Sequence, residues 1–372
     1  MHKHFTCALL LLCACFIFSL PSARGQEAHS EINRLFEPIR QKHNLPALAG
    51  AIVTSKGLVK IGAVGVRKAG TNVPVTIDDL WHLGSDTKAM TATVIGWLVE
   101  HGKLRWDTTI AQVFPKLAPI LPQAFAQITI LELLSHQAGL PANIDWQSAS
   151  QSGTVRQQRL TALKMAATMK LLSEPGTKFE YSNLGYVIAG AMAERVTNES
   201  WEQLIGRIVF KPLGMKSAGF GGTGTLGEID QPWPHTQDGK PTSNNGPKVD
   251  NPEVMGPAGT IHCSLSDWAK FIADQLRGER TERALLRPWT YKKLHTPPFG
   301  GDYALGWGVA QRDWGGGTVL THAGSNTMNF AVVWIAPARD FAVLITTNEG
   351  GSNAEKGCDE AASALINLYL KR

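Results

Sequence analysis

Phe330-Ala331-Val332-Val333-Trp334-Ile335-Ala336 and Phe341-Ala342-Val343-Leu344-Ile345-Thr346-Thr347, separated by Pro337-Ala338-Arg339-Asp340, decide the fold. Two apolar runs of strand length joined by a short Pro-containing turn read as a β-hairpin, and a hairpin makes its strands antiparallel. The signal recurs at the other end of the chain, where Leu48 to Thr54 and Leu58 to Val66 flank Ser55-Lys56-Gly57. A third pair, Tyr303 to Gln311 and Thr318 to His322, flanks Gly315-Gly316-Gly317. Between the two ends the pattern turns helical, with helices expected from Ser85 to Gly102, after Thr129 and after Asn183. Further helices are expected over residues 28–43, Leu265 to Leu276 and Asn353 to Leu370.

No series of βαβ units is present, so the expected class is α/β (α+β) with an antiparallel sheet flanked by helices. Early strands must meet late ones. The sheet is then built from both chain ends, with a mostly helical subdomain inserted and a cleft between the two parts. The expected division is a leader over 1–25 and one domain over 26–372. Its sheet part covers about 26–82 and 255–372, and its helical insertion about 85–250. Residues 142–165 and the Gly-, Pro- and Asn-rich 221–258 are expected to be variable surface loops at the cleft.

With 372 residues, 43% hydrophobic and 18% charged, the chain is long enough for a sizeable core and shows no sign of disorder. Lys3 precedes an unbroken apolar run from Phe5 to Leu20, followed by Pro21, Ser22 and the small-residue exit Ala23-Arg24-Gly25. That run is shorter than the ~20 residues needed to span a bilayer, and reads as a cleaved signal peptide of a periplasmic or secreted protein. A lipid anchor at Cys15 is disfavoured because the apolar run continues past it. Cleavage removes Lys3 and Arg24 and no acid, taking the net charge from +5 to +3. This is too mild for a nucleic-acid partner, and no basic cluster with interleaved aromatics appears. The mature chain carries no second stretch able to span a membrane, and a small molecule or peptide is the expected partner. Cys263 and Cys358, the two cysteines left after cleavage, either pair or stay as buried thiols.

Three short stretches carry chemistry. Gly84-Ser85-Asp86-Thr87-Lys88 opens a helix, and positions three apart share a face, so the Lys88 amine can lie beside the Ser85 hydroxyl. A serine alcohol is a poor nucleophile until a neighbour takes its proton, which a desolvated lysine can do. A lysine in the first turn sits at the positive end of the helix dipole, where a capping box would place Glu or Gln. In Glu180-Tyr181-Ser182-Asn183-Leu184-Gly185, Tyr181 can act as a phenolate-type base or a proton shuttle. Asn183 can orient the lysine or donate to a substrate carbonyl. Taken alone, the same stretch reads as a helix N-cap. In His322-Ala323-Gly324-Ser325, Gly324 would let a substrate backbone approach an edge strand. There the Ser325 N–H, with that of Ser85, can form an oxyanion hole.

In this order, the three stretches resemble the serine β-lactamase and penicillin-binding-protein superfamily, particularly its class C branch and the related esterases and D-aminopeptidases. Supporting stretches are Ile128 to Pro141, Glu174-Pro175-Gly176-Thr177, Pro212-Leu213-Gly214-Met215 and Tyr303-Ala304-Leu305-Gly306-Trp307-Gly308, so the resemblance covers nearly the whole mature chain. It implies a sheet domain built from both chain ends with a helical insertion. It also implies acylation of Ser85, proton work shared by Lys88 and Tyr181, substrate binding at His322, Gly324 and Ser325, and no metal or organic cofactor. One departure narrows the substrate. Class C enzymes carry Lys-Thr-Gly in the third motif, and a neutral imidazole at 322 is a weaker carboxylate anchor than an ammonium. Esters and D-residue peptides are therefore expected ahead of β-lactams. No glutamate stands where class A enzymes place their deacylation base, so Tyr181 and Lys88 must activate the water.

The alternatives are a class C-like β-lactamase and a non-catalytic or acylatable penicillin-binding receptor. Gly222-Thr223-Gly224-Thr225-Leu226-Gly227 spells a dinucleotide fingerprint, but Glu228 to Pro234 cannot open the helix that it requires. Gly-x-Ser-x-Gly and His-Glu-x-x-His are absent. His262 and Cys263, neighbours that point apart, are read as structural.

Overall fold

A computed structural model of the chain describes residues 23–151, 153–243, 246–280 and 283–371. The expected leader, with Cys15, lies outside the described residues as far as residue 22. Helix α1 (Ala23–Lys42) leads into the hairpin of β1 (Ala47–Thr54) and β2 (Gly57–Gly65), and β3 (Leu80–His82) precedes α2 (Thr87–Glu100). The helical middle includes α3 (Ile130–Leu134), α4 (Val155–Ala167) and α5 (Asn183–Thr197). Then come β4 (Gly219–Phe220), β5 (Ile261–Ser264), α6 (Leu265–Gly278) and α7 (Pro288–His295). The chain closes with β6 (Gly308–Arg312), β7 (Gly317–Ser325), β8 (Phe330–Ala336), β9 (Phe341–Thr347) and α8 (Ser352–Leu370).

The six-stranded sheet has the order β2-β1-β9-β8-β7-β6 and is antiparallel throughout. β9 joins the two chain ends, pairing with β1 on one side and β8 on the other. Successive side chains point to opposite faces of a strand. Phe341, Val343 and Ile345 accordingly enter a cluster with Ile32 and Phe36 of α1 and Leu365 of α8. Ala342 and Leu344 enter the larger core with Met90 and Ile95 of α2, Val187 and Ile188 of α5, and Trp268 and Ile272 of α6. Both faces of β9 are covered, which is why its sequence runs apolar without alternation.

The structure differs from the expected elements at five places. Tyr303 to Trp307 is a loop, and the strand begins only at Gly308. Residues 155–167, expected within a variable loop, are helical. Thr154 and Gln157 form a capping box there, each side chain bonding the other's backbone N–H. α7 starts on Pro288 at its first turn, and β3-β5-β4 form a small second sheet. Among its described residues, segment 221–258 has no long regular element, yet it is not superficial, since Trp233, His235 and Val254 are buried. His235 satisfies backbone there through Nδ1 to Asn348 O (2.8 Å) and by accepting the Ala69 N–H at Nε2 (3.0 Å). Cys263 and Cys358 are both buried and free. Among the described residues no helix is long and apolar enough to cross a membrane, and no cluster of three His, Cys, Asp or Glu could hold a metal.

Candidate active site

The site forms where the first turn of α2, the N-terminus of α5 and the end of β7 converge. Gly84 to Asp86 is a single 3-10 turn entering α2, which leaves Ser85 just ahead of the helix and Lys88 in its first turn. Ser182 caps α5, accepting the Gly185 N–H (3.0 Å) and donating to Pro141 O (2.7 Å), so Tyr181 and Asn183 emerge on either side of a pinned residue. The N-cap reading therefore holds on Ser182, which leaves the Tyr181 and Asn183 side chains to face Ser85 and Lys88.

Lys88 Nζ lies 3.0 Å from Ser85 Oγ, 2.8 Å from Asn183 Oδ1 and 2.7 Å from Ala258 O. Two of these three neighbours are fixed acceptors. An uncharged amine donates its two hydrogens to them and turns its lone pair toward Ser85. Burial pushes the Lys88 ammonium down to about 7, with Asp86 opposing the shift. The Asp86 carboxyl is itself buried without a hydrogen-bond partner among the described residues, and burial raises it well above the carboxylate range. On the other side of Ser85, Tyr181 donates its hydroxyl to Oγ at 2.8 Å. Burial lifts the phenol to about 12, the bond to Ser85 opposing it. Of the two roles open to Tyr181, phenolate base and proton shuttle, this environment favours the shuttle.

The third motif is in place, and the structure adds packing and bonding at two of its residues that the sequence did not show. β6 is the edge strand, and β7 is open on that side only beyond Thr321, the last residue paired to β6. A Cβ on Gly324 would lie 2.6 Å from Ser85 N and closer still to Leu83 O. The glycine thus serves the approach of the Ser85 turn and not only that of a substrate. His322 is buried, its Nδ1 placed 2.9 Å from Ala323 O and its Nε2 3.0 Å from the Tyr303 hydroxyl. A carbonyl only accepts, so Nδ1 carries the proton and Nε2 accepts from Tyr303. Burial and the nearby Lys88 hold His322 down at about 3. The ring is thus neutral, as the weak-anchor reading of position 322 requires, and both of its nitrogens are engaged. Ser325 ends β7, and its backbone N is adjacent to the Ser85 turn.

Sequence reasoning did not assign roles to four neighbours. Asn143 Oδ1 accepts from Asn183 Nδ2 (3.0 Å) and Trp146 Nε1 (3.1 Å), which turns the Asn183 oxygen toward Lys88. His136, at φ 59°, accepts the Ser182 N–H at Nδ1 (3.0 Å) and packs its ring on Tyr181 at 4.3 Å between centroids. Tyr303 lies 4.7 Å from the same ring. His136 and Tyr303 stood in stretches quoted only for resemblance, and Asn143 in a presumed loop. No local pattern marks any of them.

Fold and site together define a class: a mixed α/β domain with a Ser-x-x-Lys pair at its helical junction, a Tyr-x-Asn turn and a third motif on the sheet. The Beta-lactamase family model matches residues 32–368, and the chain belongs to that family. Penicillin-binding protein 4 of Amycolatopsis lactamdurans is 27% identical over 346 residues, 87% of this chain and 86% of that protein. The octameric penicillin-binding protein homologue from Pyrococcus abyssi superposes with a TM-score of 0.72 at 21% identity, covering 91% of this chain and 77% of the other. D-alanine carboxypeptidase AmpC from Burkholderia cenocepacia gives 0.71 at 18% identity, covering 91% and 99%. At such identities the structural likeness speaks to the fold, while the family match groups the chain with serine hydrolases in general.

Proposed function

We propose that this chain is an exported serine hydrolase, periplasmic or secreted, that opens ester or amide bonds through a Ser85 acyl-enzyme. The observation that carries the proposal is Lys88: buried, held by two acceptors, pushed to about 7 and 3.0 Å from Ser85 Oγ. Ser85 Oγ attacks the substrate carbonyl carbon as its proton passes to Lys88 Nζ. The backbone N–H groups of Ser85 and Ser325 receive the oxyanion. Collapse expels the leaving group, which takes a proton through Tyr181 from Lys88. Water then attacks the acyl carbon and gives its proton to the same pair, releasing the acid and restoring Ser85.

Small esters and D-residue peptides suit this site better than β-lactams, because the neutral, engaged His322 offers no cation to a substrate carboxylate. The intact set of Ser85, Lys88, Tyr181 and Asn183 speaks against a purely non-catalytic receptor.

The test is a fluorophosphonate probe read by intact mass on the mature wild type and on Ser85→Ala. A single adduct on the wild type alone is expected. No adduct, or an equal one on the variant, overturns the assignment. A nitrophenyl ester, a D-alanyl anilide and a chromogenic cephalosporin then sort the substrates, and rapid turnover of the cephalosporin alone would reverse the ranking.

A further inference from the structure

Behind the Ser85 turn lies a buried polar cluster that none of the three motifs contains: His82, Asp250 and Asn326. The Gly84 N–H donates to His82 Nδ1 at 3.0 Å. A ring nitrogen that accepts leaves the imidazole proton on the other nitrogen. That nitrogen, Nε2, lies 2.7 Å from Asp250 Oδ1, a close polar contact without the alignment of a hydrogen bond, with the two side chains only 3% and 5% exposed. The same carboxylate oxygen accepts from Asn326 Nδ2 at 2.9 Å. One oxygen of Asp250 therefore reaches both walls of the site: the turn carrying Ser85, through His82, and the loop that follows Ser325.

That loop needs holding. Thr327 sits at φ 71°, a left-handed conformation that a β-branched residue adopts only when its surroundings impose it. Asn326 Oδ1 gathers the N–H groups of Met328 (3.3 Å) and Asn329 (3.0 Å), and Ser325 Oγ accepts the Thr327 N–H (2.9 Å) while donating to Asn329 O (2.7 Å). These bonds keep the loop's own shape, but within the cluster only the bond to Asp250 ties the loop to the Ser85 side. Next to Asp250, Asn251 donates to Gly259 O (2.9 Å), one residue beyond the carbonyl that receives Lys88.

We propose that Asp250 is a positioning residue that fixes the separation of the Ser85 and Ser325 backbone N–H groups, and with it the stabilisation of the oxyanion. The proposal rests on the acyl-transfer reading above. An oxyanion donor acts only when aimed at the place where charge develops, and loss of one such donor costs about 10²–10³-fold in turnover. A carboxylate outside the substrate's reach thus acts on turnover and leaves substrate binding alone.

The experiment measures the second-order rate of fluorophosphonate labelling, kcat and KM for a nitrophenyl ester, and the melting temperature. It compares the mature wild type with Asp250→Ala, Asp250→Asn and Asn326→Ala. Asp250→Ala and Asn326→Ala are expected to lower the labelling rate and kcat by about 10–100-fold with KM changed less than about threefold, and the double variant to be no slower than either alone. Asp250→Asn keeps an oxygen that can accept from Asn326 and rest against His82, and is expected to stay within about threefold of wild type. Should Asp250→Ala fail to fold, Asn326→Ala carries the test, because it leaves the Asp250–His82 contact in place. A lower melting temperature with unchanged labelling in the folded protein, or a raised KM with unchanged kcat, overturns the proposal and leaves the cluster as structural. Absence of any Ser85 adduct on the wild type overturns the hydrolase reading itself, and this one with it.

Discussion

Gly84 and Gly324 face each other between the Ser85 turn and β7, and neither position has room for a Cβ. One built on Gly84 would fall 2.6 Å from Gly324 C, and one on Gly324 2.6 Å from Ser85 N. The clashing atoms are backbone and cannot rotate away. Gly324→Ala is expected to cost about 1–3 kcal/mol of stability, the usual scale for overpacking. It should also lower ester turnover about tenfold or more by displacing the nucleophile. Denaturant melts and steady-state kinetics check both, and turnover at the wild-type level would mean that turn and strand part freely.

Lys88 must be unprotonated to take the Ser85 proton. As pH rises through about 7, kcat/KM is expected to climb and then level off. The linked stability has the same sign. In the unfolded chain a lysine holds its proton to about 10.4, so between about 7 and 10 the unfolded state binds more protons and stability rises with pH. The melting temperature of wild type relative to Lys88→Met should therefore shift in favour of wild type from pH 7 to pH 10. A gap that does not move across that window would mean that Lys88 keeps its charge in the fold.

Tyr181→Phe keeps the ring that packs on His136 and removes only the hydroxyl bonded to Ser85 Oγ. Its melting temperature should stay near wild type, while kcat falls about 10²–10⁴-fold, the range for a lost proton-transfer group. Rates within about threefold of wild type would assign the whole of the proton work to Lys88.

His322→Lys places an ammonium where a neutral ring stands, close enough to Lys88 that each disfavours the other's charge. The acid limb of the rate profile should move to lower pH. The kcat/KM ratio of a carboxylate-bearing ester to its neutral analogue should rise by about tenfold, on the scale of one new ion pair. If neither quantity moves, position 322 touches neither Lys88 nor the substrate.

The hairpin from Phe330 to Thr347 was legible to the residue, and so was the start of α3 after Thr129, whereas α4, opened by the Thr154–Gln157 capping box, had been expected as loop. Ser85, Lys88, Tyr181 and Asn183 were legible because helix geometry places Ser85 beside Lys88, and a recurrent motif supplies the other two. Asp250 was not. It lies in an irregular segment with no periodicity, and its partners, His82 and Asn326, are distant in the chain. His322 was legible as a residue and as a weak partner for a carboxylate, but nothing in His-Ala-Gly indicates that Tyr303 will occupy its Nε2.

What the sequence determined by itself is the antiparallel architecture and the spacing that sets Lys88 beside Ser85. Turn chemistry, the two-residue strand period and the three-residue helical spacing act between neighbours and need no knowledge of distant chain. Only the tertiary structure decided how the site is tuned. Water is excluded around Lys88 by elements from across the chain, and that exclusion brings its pKa to about 7. Burial also keeps Tyr181 a phenol and His322 neutral, and one Asp250 oxygen comes to lie against both His82 and Asn326. Desolvation and long-range hydrogen bonding are properties of a packed interior, and they exist only once the chain has folded.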